Sequence, residues 1–150
     1  MRYIKKFIVI LSFVYILIPG NCFAETLPYS ETVLQTIAME SGGESLEGQA
    51  MVAKVIINRA MGSNKSLEAV CKAPKQFSAW NSPKWAKAWL RANYTPIVRQ
   101  RALKALNMAL QNTGNPAIKH YHTKNIKPYW AKGKTPTLTI GAHLFYEGIK

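Results

Sequence analysis

The 150-residue chain contains no aspartate. Its carboxylate side chains are seven glutamates: Glu25, Glu31, Glu40, Glu44, Glu47, Glu68 and Glu147. Any acid–base chemistry that needs a carboxylate must use one of these. Cysteine is scarcer still, with only Cys22 and Cys71. Cys71 follows Ala69 and Val70 and reads as a buried, inert thiol. No Lys/Arg-rich run is interleaved with stacking aromatics, which argues against nucleic acid as a partner. No strongly basic amphipathic helix marks a membrane-active protein. There is no internal repeat and no low-complexity tract.

What is present begins with an export pattern. Arg2, Lys5 and Lys6 are followed by an uncharged apolar run, Phe7 to Ile18, then by Pro19-Gly20 and the small-residue ending Cys22-Phe23-Ala24. This predicts a secretory signal peptide over 1–24, cleaved after Ala24. The run is shorter than the roughly 20 residues that span a bilayer, so no stable membrane anchor is expected after cleavage. Residues 25–150 then form one domain with one cysteine and no internal disulfide, so the fold must stand on its core. The full chain carries a formal charge of +13. Loss of Arg2, Lys5 and Lys6 leaves +10. A basic exported protein is attracted to polyanions such as wall polymers. The expected location is the periplasm, the cell wall or the outside of the cell, and the expected state is a monomer.

Apolar periodicity predicts helices first. Ser30 is placed to cap a helix in which Val33, Leu34, Ile37 and Ala38 share a face, ending near Glu40 at Gly42-Gly43. Ser45 caps a second helix that runs to Gly62-Ser63-Asn64, and Asn58-Arg59 near its end ties it to neighbouring carbonyls. Ser66 opens a short helix through Cys71, and Pro74 to Ser82 reads as a loop. Ser82-Pro83 and Thr95-Pro96 open helices over about 83–92 and 96–112. The second of these has a core face of Ala102, Leu103, Leu106, Ala109 and Leu110. The last third is β-prone at His120–Thr123, Thr137–Ile140 and Leu144–Tyr146. The class is α+β: a helical body with a small antiparallel sheet in the C-terminal third.

Three glutamates fall within Glu40-Ser41-Gly42-Gly43-Glu44-Ser45-Leu46-Glu47. Glu40 stands where an apolar helix meets two glycines. Carbonyl dipoles and apolar neighbours there disfavour the charged form, as a general acid for glycosidic cleavage requires. From spacing alone, an exposed helix-end glutamate is the commoner case.

The segment Ile37 to Arg59, IAMESGGESLEGQAMVAKVIINR, resembles the opening signature of the SleB/CwlJ family of cell-wall hydrolases. Gln76-Phe77-Ser78 with Trp80, His120-Tyr121-His122, Trp130, and Ile140 to Tyr146 agree in order. Ser41-Gly42-Gly43 replaces the commoner Ala-Arg-Gly. The resemblance implies a lysozyme-like catalytic core that cleaves the MurNAc–GlcNAc backbone of peptidoglycan, with no cofactor. It puts the catalytic glutamate at Glu40. Ser41, Gln76, Phe77, Tyr121, His122, Trp130 and His143 are the expected substrate-binding residues, with Phe77, Tyr121 and Trp130 read as sugar-stacking surfaces or as core.

A lytic transglycosylase needs one carboxylate, whereas a muramidase needs a second, for which Glu44 is the first candidate. Glu47, near the start of the second helix, suits a structural role beside the dipole. Two further readings stand beside these. His120, His122 and His143 with a glutamate could form a zinc site of an amidase, although no His-Glu-x-x-His accompanies them and no metal is expected. An inactive wall-binding module is the non-enzyme reading.

Overall fold

The structure, a computed structural model, describes residues 30–149. The expected leader and its cleavage point lie outside the described residues. Five helices come first: α1 (Glu31–Ser41), α2 (Leu46–Ser63), α3 (Leu67–Lys72), α4 (Pro83–Asn93) and α5 (Pro96–Gln111). Three short strands follow: β1 (Ile118–Thr123), β2 (Leu138–Ile140) and β3 (His143–Glu147). Single 3₁₀ turns lie at Ser78–Trp80 and Tyr129–Ala131. The molecule is α+β, as its sequence indicates. Among the described residues no helix is long and apolar enough to cross a membrane.

Capping chemistry sets most helix starts. Ser45, Ser66, Ser82 and Thr95 each accept a hydrogen bond from the backbone N–H three residues on, and proline occupies the first turn of α4 and α5. Ser30 departs from this pattern. It has the extended backbone of a cap, but its hydroxyl makes no capping bond. The end of α1 also differs from expectation. Gly42 continues in right-handed helical geometry (φ −57°, ψ −28°) instead of reversing into the left-handed region. The turn is closed by Gln49, whose buried amide donates to the carbonyls of Gly42 (3.4 Å) and Glu44 (3.3 Å).

The helix α2 organises the core because it is apolar on two sides. Ala53, Ile56 and Ala60 meet α1 and α5 in a cluster that includes Leu34, Ile37 and Leu106. Val52 and Val55 meet Ile118 and Phe145 of the sheet. On α5 the buried positions are Ala102, Ala105, Leu106 and Ala109, while Leu110 is exposed, so the buried stripe is rotated slightly from the expected one. Cys71 lies in the main cluster, and burial pushes its thiol up to about 11.

The sheet is antiparallel in the order β1-β3-β2. Tyr121 pairs with Phe145, and Thr123 with His143. The pleat therefore puts Tyr121, His143 and Phe145 on one face, packed ring to ring toward the helices. His120, His122 and Tyr146 take the other face, under Trp130. Asn58 fixes the sheet to α2 by donating to the carbonyls of Ile118 (2.8 Å) and Asn115 (3.2 Å).

Candidate active site

Glu40 occupies the last turn of α1, whose apolar face is buried while its C-terminal end stays half-open. Its carboxylate receives three hydrogen bonds. The Ala79 N–H (2.8 Å) and the Ser78 hydroxyl (3.2 Å) donate to Oε1, and the Tyr121 hydroxyl (2.9 Å) donates to Oε2. The first two come from the 3₁₀ turn at Ser78–Trp80. That turn is pinned to α1 a second time by the Trp80 indole, which donates to Thr36 Oγ1 at 2.9 Å. The third comes from β1. Burial holds the Tyr121 phenol well above its ordinary pKa, and the Glu40 charge adds to the effect, so the phenol stays a neutral donor.

Arg59 braces the same corner. Its guanidinium lies over the Phe77 ring, 5.0 Å from the centroid, and donates to the carbonyls of Lys119 (2.7 Å) and Gln76 (3.1 Å). This bears out the expectation that Asn58-Arg59 ties α2 to neighbouring carbonyls. Burial lowers the Arg59 pKa, opposed by Tyr121 and Glu40, but a guanidinium remains charged in proteins.

These elements enclose an open cleft of about 500 Å³. Of the residues singled out in the sequence, Glu40, Gln76, Tyr121, His122, Trp130 and His143 line it. Ser41 and Phe77 are not among the residues that line it. Ser41 is buried and spends its hydroxyl on the Ile37 carbonyl at 2.7 Å. Phe77 is buried in the main core beneath Arg59. Both belong to the packing behind the cleft. The sequence does not single out the Ser78 hydroxyl or the Ala79 N–H as partners of Glu40. The only sequence signal for them was the Gln76-Phe77-Ser78 motif itself, and a backbone donor leaves no side-chain signature.

The histidines do not converge. His122 is fully engaged: Nδ1 lies 2.8 Å from the Thr123 carbonyl and Nε2 2.9 Å from the Tyr146 hydroxyl. The carbonyl can only accept, so Nδ1 carries the proton. His143 sits on the opposite sheet face from His120 and His122. Among the described residues no group of three His, Cys, Asp or Glu side chains could hold a metal ion.

Glu44 lies outside the cleft lining, with its side chain only 13% exposed. Its Oε2 accepts from the Ala142 N–H at 3.1 Å, and its Oε1 lies 3.5 Å from His143 Nδ1, too poorly placed for a hydrogen bond. Two glycines make room for it. A Cβ at Gly141 would land on the Glu44 carboxylate, and one at Gly48 would lie 3.0 Å from Glu44 Cβ. Glu47 is exposed at the second position of α2. Bonds from its own backbone N–H and from Ser45 lower its pKa, as suits an acid at a helix start.

The fold and cleft together describe a small α+β domain with one carboxylate in a groove edged by aromatic rings, a form suited to an extended sugar polymer. The chain belongs to the cell wall hydrolase family, whose model matches residues 43–146. As such it is a peptidoglycan-degrading enzyme, and its substrate lies outside the cytoplasm. The match begins three residues after Glu40 and does not include it. Among solved structures, the chain is similar to the catalytic domain of the Bacillus cereus SleB protein. The identity is 24% and the TM-score 0.54, over 78% of this chain and 91% of that one. It is equally similar to the catalytic domain of a germination-specific lytic transglycosylase, SleB from Bacillus anthracis. There the identity is 24% and the TM-score 0.55, over 78% of this chain and 95% of that one. These likenesses establish a shared fold. No curated protein sequence matches the chain.

Proposed function

We propose that the chain is an exported lytic transglycosylase that cleaves the MurNAc–GlcNAc backbone with Glu40 as acid and then base. One observation carries this reading: among the described residues, Glu40 is the sole carboxylate that lines the cleft. A muramidase of the usual kind needs a second carboxyl facing the same bond, about 5–5.5 Å away for retention or 6.5–9.5 Å for inversion. Glu44 is committed to the Ala142 N–H and Glu47 is exposed at a helix start.

The hydrogen bonds indicate which oxygen carries the proton. The Ala79 N–H can only donate, so Oε1 must stay an acceptor. The Tyr121 hydroxyl can turn and accept, so Oε2 is the oxygen that can hold a proton. In the first step Oε2–H protonates the departing glycosidic oxygen. In the second, the carboxylate takes the proton from the muramic C6 hydroxyl as that oxygen closes on C1. A 1,6-anhydro ring forms and no water is consumed. Tyr121 and Trp130 are proposed to flank the sugars, with His122 and Gln76 along the groove.

The decisive measurement is the mass of fragments from purified peptidoglycan. Anhydro ends are lighter than reducing ends by one water, about 18 mass units, which separates this outcome from the two-carboxylate chemistry. Reducing muramic ends would make the enzyme a muramidase. Glu40→Gln is expected to reduce lysis by roughly 10²–10⁴-fold without unfolding the domain, because shape is kept and the transferable proton is lost. Export is proposed from the leader pattern. N-terminal sequencing of the exported protein should begin at Glu25, and a retained apolar segment would refute cleavage after Ala24.

A further inference from the structure

A second cavity, of about 640 Å³, opens beside the cleft on the β1–β2 connection. Its wall includes Tyr146 and His122, and His122 also lines the Glu40 cleft, so the two spaces share a side chain. Lys124, Lys127, Lys132 and Lys134 line it, and among the described residues no acidic one does. Among the described residues none of these four lysines belongs to an ion pair. The connection is built to hold them there. Ala131, Lys132 and Lys134 donate backbone bonds to Pro128, Tyr129 and Ala131 in successive turns, and Gly133, at φ +71°, reverses the chain between the last two lysines.

Four like charges facing one cavity repel each other, and the described residues supply no counter-ion. We propose that this cavity is an anion subsite for groups carried on the glycan strand. It would take a carboxylate of the stem peptides or a phosphodiester of an attached wall polymer while the sugars lie in the Glu40 cleft. The inference rests on the glycan-cleaving reading above, and it assigns that enzyme a preference for anion-bearing strands. The aromatic wall would pack the substituent's apolar part, and the ammonium groups would meet its charge.

The test measures binding apart from turnover. Glu40→Gln protein, with and without the added changes Lys127→Gln, Lys132→Gln and Lys134→Gln, is co-sedimented with three substrates. These are teichoic-acid-free peptidoglycan, the same material stripped of stem peptides by an amidase and then capped as methylamides at the lactyl carboxyls this exposes, and walls that keep their teichoic acid. The triple change is expected to weaken binding on the order of tenfold where anions are present, an effect that fades with added salt, and to leave binding to bare glycan unchanged. Loss on teichoic-acid-free peptidoglycan identifies the carboxylate. Loss only on complete walls identifies the phosphodiester. Equal binding by both proteins to all three materials would overturn the subsite, as would an equal loss on bare glycan. Tighter binding to phosphatidylglycerol vesicles than to walls would assign the lysines to a membrane and also overturn it. Circular dichroism of the triple variant establishes that it is folded. If wild-type protein releases no glycan fragments, the glycan-cleaving reading fails, while the binding comparison still decides the subsite.

Discussion

Tyr121 links the sheet to the Glu40 carboxylate. Among the described residues its hydroxyl is the one donor on Oε2, and its ring packs against His143 and Phe145, with centroids 5.2 and 5.7 Å away. Tyr121→Phe keeps the ring and removes the bond. A hydrogen bond to a charged group contributes about 1.5–3 kcal/mol, so kcat is expected to fall roughly 10- to 100-fold with little change in KM. Steady-state kinetics on solubilised glycan would check this, and an unchanged kcat would mean that the phenol only packs. At Glu47 the expectation is the opposite. Glu47→Gln should leave turnover intact, because that carboxylate serves the start of α2 and not the cleft.

At the scale of elements, the α1–α2 turn and the β2–β3 hairpin are fitted to each other through Glu44. Gly141 has φ +55°, a conformation that costs other residues roughly 1–2 kcal/mol, and its missing Cβ leaves space for the Glu44 carboxylate. Gly141→Ala should therefore destabilise by more than that backbone strain alone, since Glu44 must also move. Comparing the denaturant midpoints of Gly141→Ala and of the double variant Gly141→Ala/Glu44→Ala separates the two costs. If the double variant is no more stable than the single, the crowding at Glu44 is not the cause. The glycines at the end of α1 have a different role from the one their position suggests. Gly42 stays right-handed, and the close of the turn falls to Gln49.

Across the whole molecule, two histidines set a pH dependence of stability. Burial lowers the His143 pKa below its ordinary 6.5, against the pull of Glu44 and Glu40 and with help from His122. Burial lowers His120 too, with Arg59 and Lys119 adding to the shift. Each group binds a proton less readily in the folded state than in the unfolded one. Their stabilising contribution is fully present above about pH 6.5 and is lost as the pH falls through that value toward the lowered ones. Thermal melts should be flat from about pH 8 to 7 and fall toward pH 5, and His143→Gln should flatten that slope. Glu31 titrates in a lower window. Burial raises its pKa, but bonds from Tyr94 and Arg99 prevail and bring it below 4.5, so its contribution is lost only in stronger acid. An unaltered slope in His143→Gln would remove that residue as a source.

The helices, the class and the family are legible in the sequence, because they are written in short-range terms. Hydroxyl caps and prolines mark where α2 to α5 begin, apolar spacing marks their buried faces, and alternation marks the strands. With no aspartate, the choice of a catalytic acid was narrowed to seven glutamates before any contact was known. Which members of one motif face the groove depends on long-range packing. Adjacent residues on a helix point in different directions, so Glu40 opens into the cleft while Ser41 turns into the core. Phe77 and Gln76 separate in the same way. The partners of Glu40 lie 38 to 81 positions away in the chain, and one of them is a backbone N–H. Glu44 is a candidate second acid by its place in the sequence. Its partner is the Ala142 N–H, 98 positions on, and that pairing exists only once the hairpin has folded back over the α1–α2 turn.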